Sequence, residues 1–171
     1  RNTRHLAWGP VVSLDDLPKS DVPISVYAER LTVRDAQSFL ECHLSSSIAA
    51  AAPITVEAVQ SVFAHRAGNP LVVFVGQQPE EEPWHMVRWS GQGSVLDSSL
   101  PLVGWRSPTG EVEAADEARL DGSGMGRGSL EFAGPASRGP TGSRVVGWNA
   151  PLRSPDPPGY QPPTASSPKL R

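Results

Sequence analysis

Half of the last fifty residues, Gly122 to Arg171, are glycine, proline or serine. A stretch of this kind has much backbone entropy to lose and few side chains to bury, so it does not build a core by itself. It is expected to form an irregular arm laid along a partner. The sequence therefore divides into a lead-in segment over residues 1–20, a small domain over 21–121 and a Gly/Pro/Ser-rich extended arm over 122–171. About 120 residues precede the arm, enough for a hydrophobic core. Charge divides at the same place. Residues 1–121 carry nine Lys and Arg against sixteen Asp and Glu, a formal −7, whereas the arm carries six against two, a formal +4. An acidic body argues against duplex binding, because phosphate neutralisation needs a basic face; only the arm could touch nucleic acid or an acidic protein, and weakly.

Cys42 is the only cysteine, which excludes an intrachain disulfide and a multi-cysteine zinc site. There is no Asn-x-Ser/Thr sequon. No run approaches the roughly 18 apolar residues that span a bilayer. These features lean towards an intracellular protein with no membrane span. Arg1, Arg4 and His5, with no acid before Asp15, are compatible with the remains of a targeting segment.

Two helices are predicted near the N-terminus. At 100° per residue Val33, Ala36, Leu40, Leu44, Ser47, Ile48 and Ala51 share one side, with Thr32 as N-cap, Asp35 in the first turn and Pro53 as the stop. A second helix starts near Val56 behind Thr55 and places Val56, Val59, Phe63 and Ala67 on one face, ending at Gly68. The likeness of Leu31-Thr32-Val33 to Ile54-Thr55-Val56 reads as shared capping chemistry and not as a repeat. Ile24 to Tyr27 reads as a short strand, and the apolar run Leu71 to Val75 as a strand buried on both faces. Trp84 to Trp89 is its expected antiparallel neighbour. Leu102–Trp105 and Glu111–Glu113 flank a Ser107-Pro108-Thr109-Gly110 turn as a hairpin. Together these give an α+β fold, two N-terminal helices packed on a small mainly antiparallel sheet, followed by the irregular arm.

Candidate chemistry is sparse. Cys42 and His43 would point about 100° apart on a helix, too divergent for a nucleophile and its base. His65 reads as a surface residue near a helix end, where a cation suits the dipole. Glu80-Glu81-Glu82 reads as a solvated loop, because adjacent like charges repel and a flexible loop lacks the enclosure of a metal site. The alternating glycines of Gly122 to Gly128 match neither a P-loop nor G-x-G-x-x-G, and read as a linker. No catalytic residue, metal or cofactor is assigned.

Pro157-Pro158-Gly159-Tyr160 matches the PPxY pattern read by WW-type domains, whose aromatic groove accepts a polyproline II segment. Val145-Val146-Gly147-Trp148 echoes Leu102-Val103-Gly104-Trp105, which suggests a tail segment that pairs with a sheet edge or docks its tryptophan. Trp148, Pro157, Pro158 and Tyr160 are therefore the expected partner-binding residues. Ser107-Pro108, Ser154-Pro155 and Ser167-Pro168 are candidate proline-directed phosphorylation sites. Trp84 and Trp89 have opposite parity in a regular strand, so one of them is expected near the surface beside Arg88. The function expected is that of a non-catalytic structural or adaptor subunit of a larger protein assembly, docking through its arm. The alternative is a small enzyme with a site between helices and sheet, drawing on His65, His85 or the Glu80 to Glu82 loop.

Overall fold

Among the described residues between 20 and 70, the regular elements are strands and not helices. The computed structural model describes residues 3–5, 9–18, 21–44, 51–65, 67–76, 83–115, 123–138, 142–149 and 158–159. Its described elements are thirteen β-strands and two short 3₁₀ turns, Pro83–Met86 and Ala136–Arg138. The first strands are β1 Thr3–His5, β2 Val12–Leu14, β3 Ile24–Glu29, β4 Leu31–Arg34, β5 Leu40–His43, β6 Ile54–Val59, β7 Val62–Ala64 and β8 Val72–Val75. After them come β9 Val87–Asp97, β10 Val103–Arg106, β11 Val112–Ala114, β12 Ser123–Phe132 and β13 Val145–Asn149.

Between coils the pairing is parallel, and the partners lie one coil apart. β1 pairs β4, β4 pairs β7, β7 pairs the end of β9, and that end pairs β12. β3 pairs β6, which pairs the start of β9. In the second sheet β2, β5, β8 and β10 stack in order. The chain thus winds as a β-solenoid, each coil supplying one rung to each of three faces. The α+β expectation is overturned.

The repeat is visible in the residues once the register is known. Residues 23–33 read Pro-Ile-Ser-Val-Tyr-Ala-Glu-Arg-Leu-Thr-Val, and residues 53–63 read Pro-Ile-Thr-Val-Glu-Ala-Val-Gln-Ser-Val-Phe. Ile24 stacks on Ile54 and Val26 on Val56, so the true counterpart of Ile54-Thr55-Val56 is Ile24-Ser25-Val26, not Leu31-Thr32-Val33. Both predicted helices fail for one reason. Each spans two short strands joined by a bend with left-handed backbone, β4 and β5 after Asp35 and β6 and β7 at Gln60, which shifts the parity of the inward residues; residues 45–50 of the first lie outside the described residues. The apolar spacing then alternates between two and three and imitates a helical stripe. The Gln60 corner recurs in successive coils, with Arg30, Gln60 and Gly93 at φ of 50°, 48° and 62°. Left-handed backbone at each coil turns the chain from one face to the next, and only the third position is glycine.

Inside the corner, serine hydroxyls replace the bonds that the bend removes. Ser61 Oγ accepts from Leu31 N–H at 3.1 Å and lies 3.0 Å from the Val59 carbonyl. One coil on, Ser94 Oγ accepts from Ser61 N–H at 2.9 Å and donates to the Ala58 carbonyl at 3.0 Å. Both serines are fully buried. The aliphatic interior is keyed by an aromatic trio. Phe39, Phe63 and Trp89 meet edge to face, with ring centroids 5.2, 5.4 and 5.4 Å apart, a geometry that adds to their area burial. Trp84 packs edge-on against Phe74 at 5.5 Å. Trp84 and Trp89 are both buried, because the 3₁₀ turn Pro83–Met86 separates them and the strand-parity rule does not apply.

Val72, Val73 and Phe74 are buried on both faces, as the apolar run implies, but β8 lies between two parallel neighbours and is not paired with the Trp84–Trp89 segment. The hairpin around Ser107–Gly110 is present, with Trp105 opposite Glu113. β12 runs straight through the alternating glycines expected to form a linker and pairs with β9. Beyond residue 128 it leaves the coil and pairs antiparallel with β13.

Candidate interaction site

The three faces of the solenoid differ in what covers their outward side chains. On the face built by β4, β7 and the end of β9, Thr32, Val62 and Val95 form one outward row, and all three are fully buried. Part of that cover comes from the C-terminal segment. Gly159 N–H donates to the Gln60 carbonyl at 2.6 Å. A Cβ on Gly159 would lie 2.6 Å from Thr32 Oγ1 and 2.9 Å from Val62 Cγ2, and its φ is +83°, so the seat admits only glycine. Arg34, at the end of β4, holds the hairpin of β12 and β13. Its Nη1 donates to the Gly134 and Gly142 carbonyls at 2.7 and 3.0 Å, and its Cζ lies 4.1 Å above the Phe132 ring.

The face of β5, β8 and β10 is closed differently. Glu41 on β5 is buried with its carboxylate shared, Oε2 accepting from Arg106 Nη1 at 2.5 Å and Oε1 lying 3.0 Å from His43 Nε2. The ion pair bridges β5 and β10 across the intervening β8, over the buried Val73. Arg106 Nη2 is buried with no hydrogen-bond partner and His43 stands partly exposed at the edge; the Glu41–Arg106 pair reads as a brace between coils.

The third face, built by β3, β6 and the start of β9, is bare. Its outward rows are Ser25, Thr55 and Arg88; Tyr27, Glu57 and Ser90; and Glu29, Val59 and Gln92. Ser25, Tyr27, Glu29, Thr55, Glu57, Arg88 and Gln92 are all exposed. Tyr27 is 61% exposed, the largest exposure among the big apolar and aromatic side chains of the described residues. Its hydroxyl lies 3.5 Å from Glu29 Oε2. Local loss of water contact, then the charges of Glu29 and Glu57, raise the phenol pKa above its ordinary value, so the hydroxyl stays protonated and available as a donor. Neighbouring rungs stand about 4.8 Å apart, which sets this ring, two carboxylates and a guanidinium on one flat grid.

The expected site residues do not gather in one place. Trp148 lies on β13, half-buried and in register with Leu130 of β12. It therefore pairs within the hairpin, and the resemblance of residues 145–148 to residues 102–105 does not make them equivalent rungs, since β10 stacks on β8. Pro158 is buried beside Gly159; Pro157 and Tyr160 fall outside the described residues, as do Glu80 to Glu82. Cys42 points into the core and not outward, and burial, followed by the charge of Glu41, pushes its thiol pKa up to about 12. His65 is likewise internal, with burial lowering its pKa to about 4, while His85 is exposed on the 3₁₀ turn. The sequence marked the two non-equivalent tryptophan segments and missed the bare face, whose signal was the Ser25/Thr55, Tyr27/Glu57 alternation at a spacing of thirty residues.

Among the described residues no helix is long and apolar enough to cross a membrane, and no group of three His, Cys, Asp or Glu side chains could hold a metal ion. Set against protein-family models, curated proteins and solved structures, the chain finds no match.

Proposed function

We propose that this chain is a non-catalytic structural or adaptor subunit of a larger protein assembly, and that it meets its partner through the face of β3, β6 and β9. One observation carries the reading: the middle of the outward surface on the other two faces is buried by the chain's own packing, at Thr32, Val62 and Val95 and at Glu41, Val73 and Gly104, whereas the middle of this face leaves Tyr27, Glu57 and Arg88 exposed on neighbouring rungs. Tyrosine and arginine are the residue types that most often anchor protein interfaces, and a flat strand face lets several of them act on one partner surface. Two carboxylates flank the tyrosine, and residues 1–121 carry a formal −7, so the partner surface that fits is basic.

The described part of the arm supports a changed role for that segment. Pro158 and Gly159 are seated on Thr32, Val62 and Gln60, which makes them an internal strap and leaves the outward docking to the bare face. The test is recovery of partners from native extract by the full chain, compared with Tyr27→Ala/Glu57→Lys and with an exposed control outside the face, Val146→Ser. Loss of the same partner in the first variant only, with recovery that falls as salt is raised, supports the proposal. Equal recovery by all three chains refutes it.

A further inference from the structure

The two ends of the solenoid are finished differently. At the C-terminal end parallel stacking is stopped by reversed strands, since β11 runs antiparallel to β10 and β13 runs antiparallel to β12. At the other end, among the described residues, β1, β2 and β3 each pair on one side only, with β4, β5 and β6. The interior columns are also unfinished there. Ile54 and Val56 are fully buried, yet their stack-mates Ile24 and Val26 are only partly so, as are Val11, Val12 and Leu14 on the adjoining segment.

Backbone direction can be assigned along β3. Arg30 N–H donates to the Val59 carbonyl at 2.9 Å. Peptide groups alternate sides along a strand, so Ile24, Val26 and Ala28 aim theirs at β6, and Ser25, Tyr27 and Glu29 aim theirs at the open side. The stretch Ser25-Val26-Tyr27-Ala28 contains no charge and no proline, which are the usual devices for blocking an edge.

We propose that this end takes an extended polypeptide strand, bound parallel to β3 as one more rung. The inference concerns the backbone edge and does not rest on the Tyr27 face. It continues an interface that the chain already makes between successive coils, and the columns define the occupant. It carries apolar residues over Ile24 and Val26, polar residues between them, and a small residue over Ala28. That column holds Ala28, Ala58 and Gly91, and a Cβ at Gly91 would stand 2.7 Å from Met125 Cβ, so it is narrow throughout.

The probe is a capped peptide with the sequence of residues 53–60, the rung that already pairs β3 from its other side, and the control is a scramble of it. Amide hydrogen exchange is followed by NMR on the full chain. Slowing of the Ser25, Tyr27 and Glu29 amides by at least tenfold, with Val26 and Ala28 unchanged, is the expected result. The scramble should have no effect, and Ser25→Pro, which removes an outward donor, should weaken the response. No slowing, or equal slowing by the scramble, overturns the proposal. Slowing that rises with chain concentration in the absence of peptide also overturns it, because the occupant would then be a second copy.

Discussion

Acid should destabilise this solenoid through one histidine, and the size of the effect can be worked out. His65 follows β7 and is 4% exposed. Its Nε2 lies 2.8 Å from the Asn69 carbonyl, which can only accept, so Nε2 carries the proton and Nδ1 is left as a buried lone pair with no partner. Protonating Nδ1 would bury a charge. Burial lowers the pKa from the ordinary 6.5 to about 4, although the Asn69 carbonyl and Asp97 pull the other way. The unfolded chain therefore takes up the proton first. Stability is intact above pH 6.5, declines as pH falls towards 4, and is flat below that with respect to this group. The ceiling is about 3 kcal/mol at 1.36 kcal/mol per pKa unit, and about 2 kcal/mol is lost by pH 5. His65→Gln keeps a donor for the Asn69 carbonyl and removes the titration. Urea unfolding of both chains between about pH 7 and pH 5 should show the wild-type chain losing about 2 kcal/mol relative to the variant as pH falls, whatever the constant offset between them. Parallel curves, or a wild-type chain that gains on the variant in acid, would refute a buried neutral His65.

Other consequences are open to simpler measurements. Ser61→Ala leaves the Leu31 N–H unpaired in the interior and should cost about 1–3 kcal/mol in denaturant unfolding, whereas a substitution at the exposed Ser99 should cost little. Trp89→Ala empties the centre of the aromatic trio and should cost about 3–5 kcal/mol. With its thiol pKa pushed up to about 12 and its side chain fully buried, Cys42 should resist thiol reagents near neutral pH in the native chain and react on unfolding; rapid native labelling would contradict its placement. Gly159→Ala should release the 158–159 segment, read as faster exchange of its amide with the coils otherwise unchanged.

How much of this was legible in the sequence depends on the length over which a pattern was judged. Single strands were readable where the apolar run was continuous, as at Val72 to Phe74, or where a Pro-Thr-Gly turn fixed a hairpin, as at residues 107–110. The solenoid was not, because its evidence is a relation between residues thirty apart, and comparing Leu31-Thr32-Val33 with Ile54-Thr55-Val56 set the repeat seven residues out of register. The β-branched content of Ile54-Thr55-Val56 and Val59 favoured strands, but the parity shift at Gln60 hid the alternation. Ser61 and Ser94 looked like ordinary polar residues; their role depends on a left-handed corner that no local signal announces in Arg30 or Gln60. The arm was read as unable to fold by itself. That holds for its composition, yet β12 needs only the edge offered by β9, and Gly159 needs only a seat with no room for a side chain.

The stacked corners bear on how a chain like this changes over generations. Arg30 and Gln60 share left-handed backbone and one hydrogen-bonding position, each N–H donating to a carbonyl of the next coil. Duplicating residues 30–59 joins like to like and adds a coil, whereas removing them also takes away Arg34 and Thr32, and with them the clamp on the β12–β13 hairpin and one wall of the Gly159 seat. Length is then a variable that recombination can extend in steps of one coil, while substitutions within a coil are constrained by the rungs above and below.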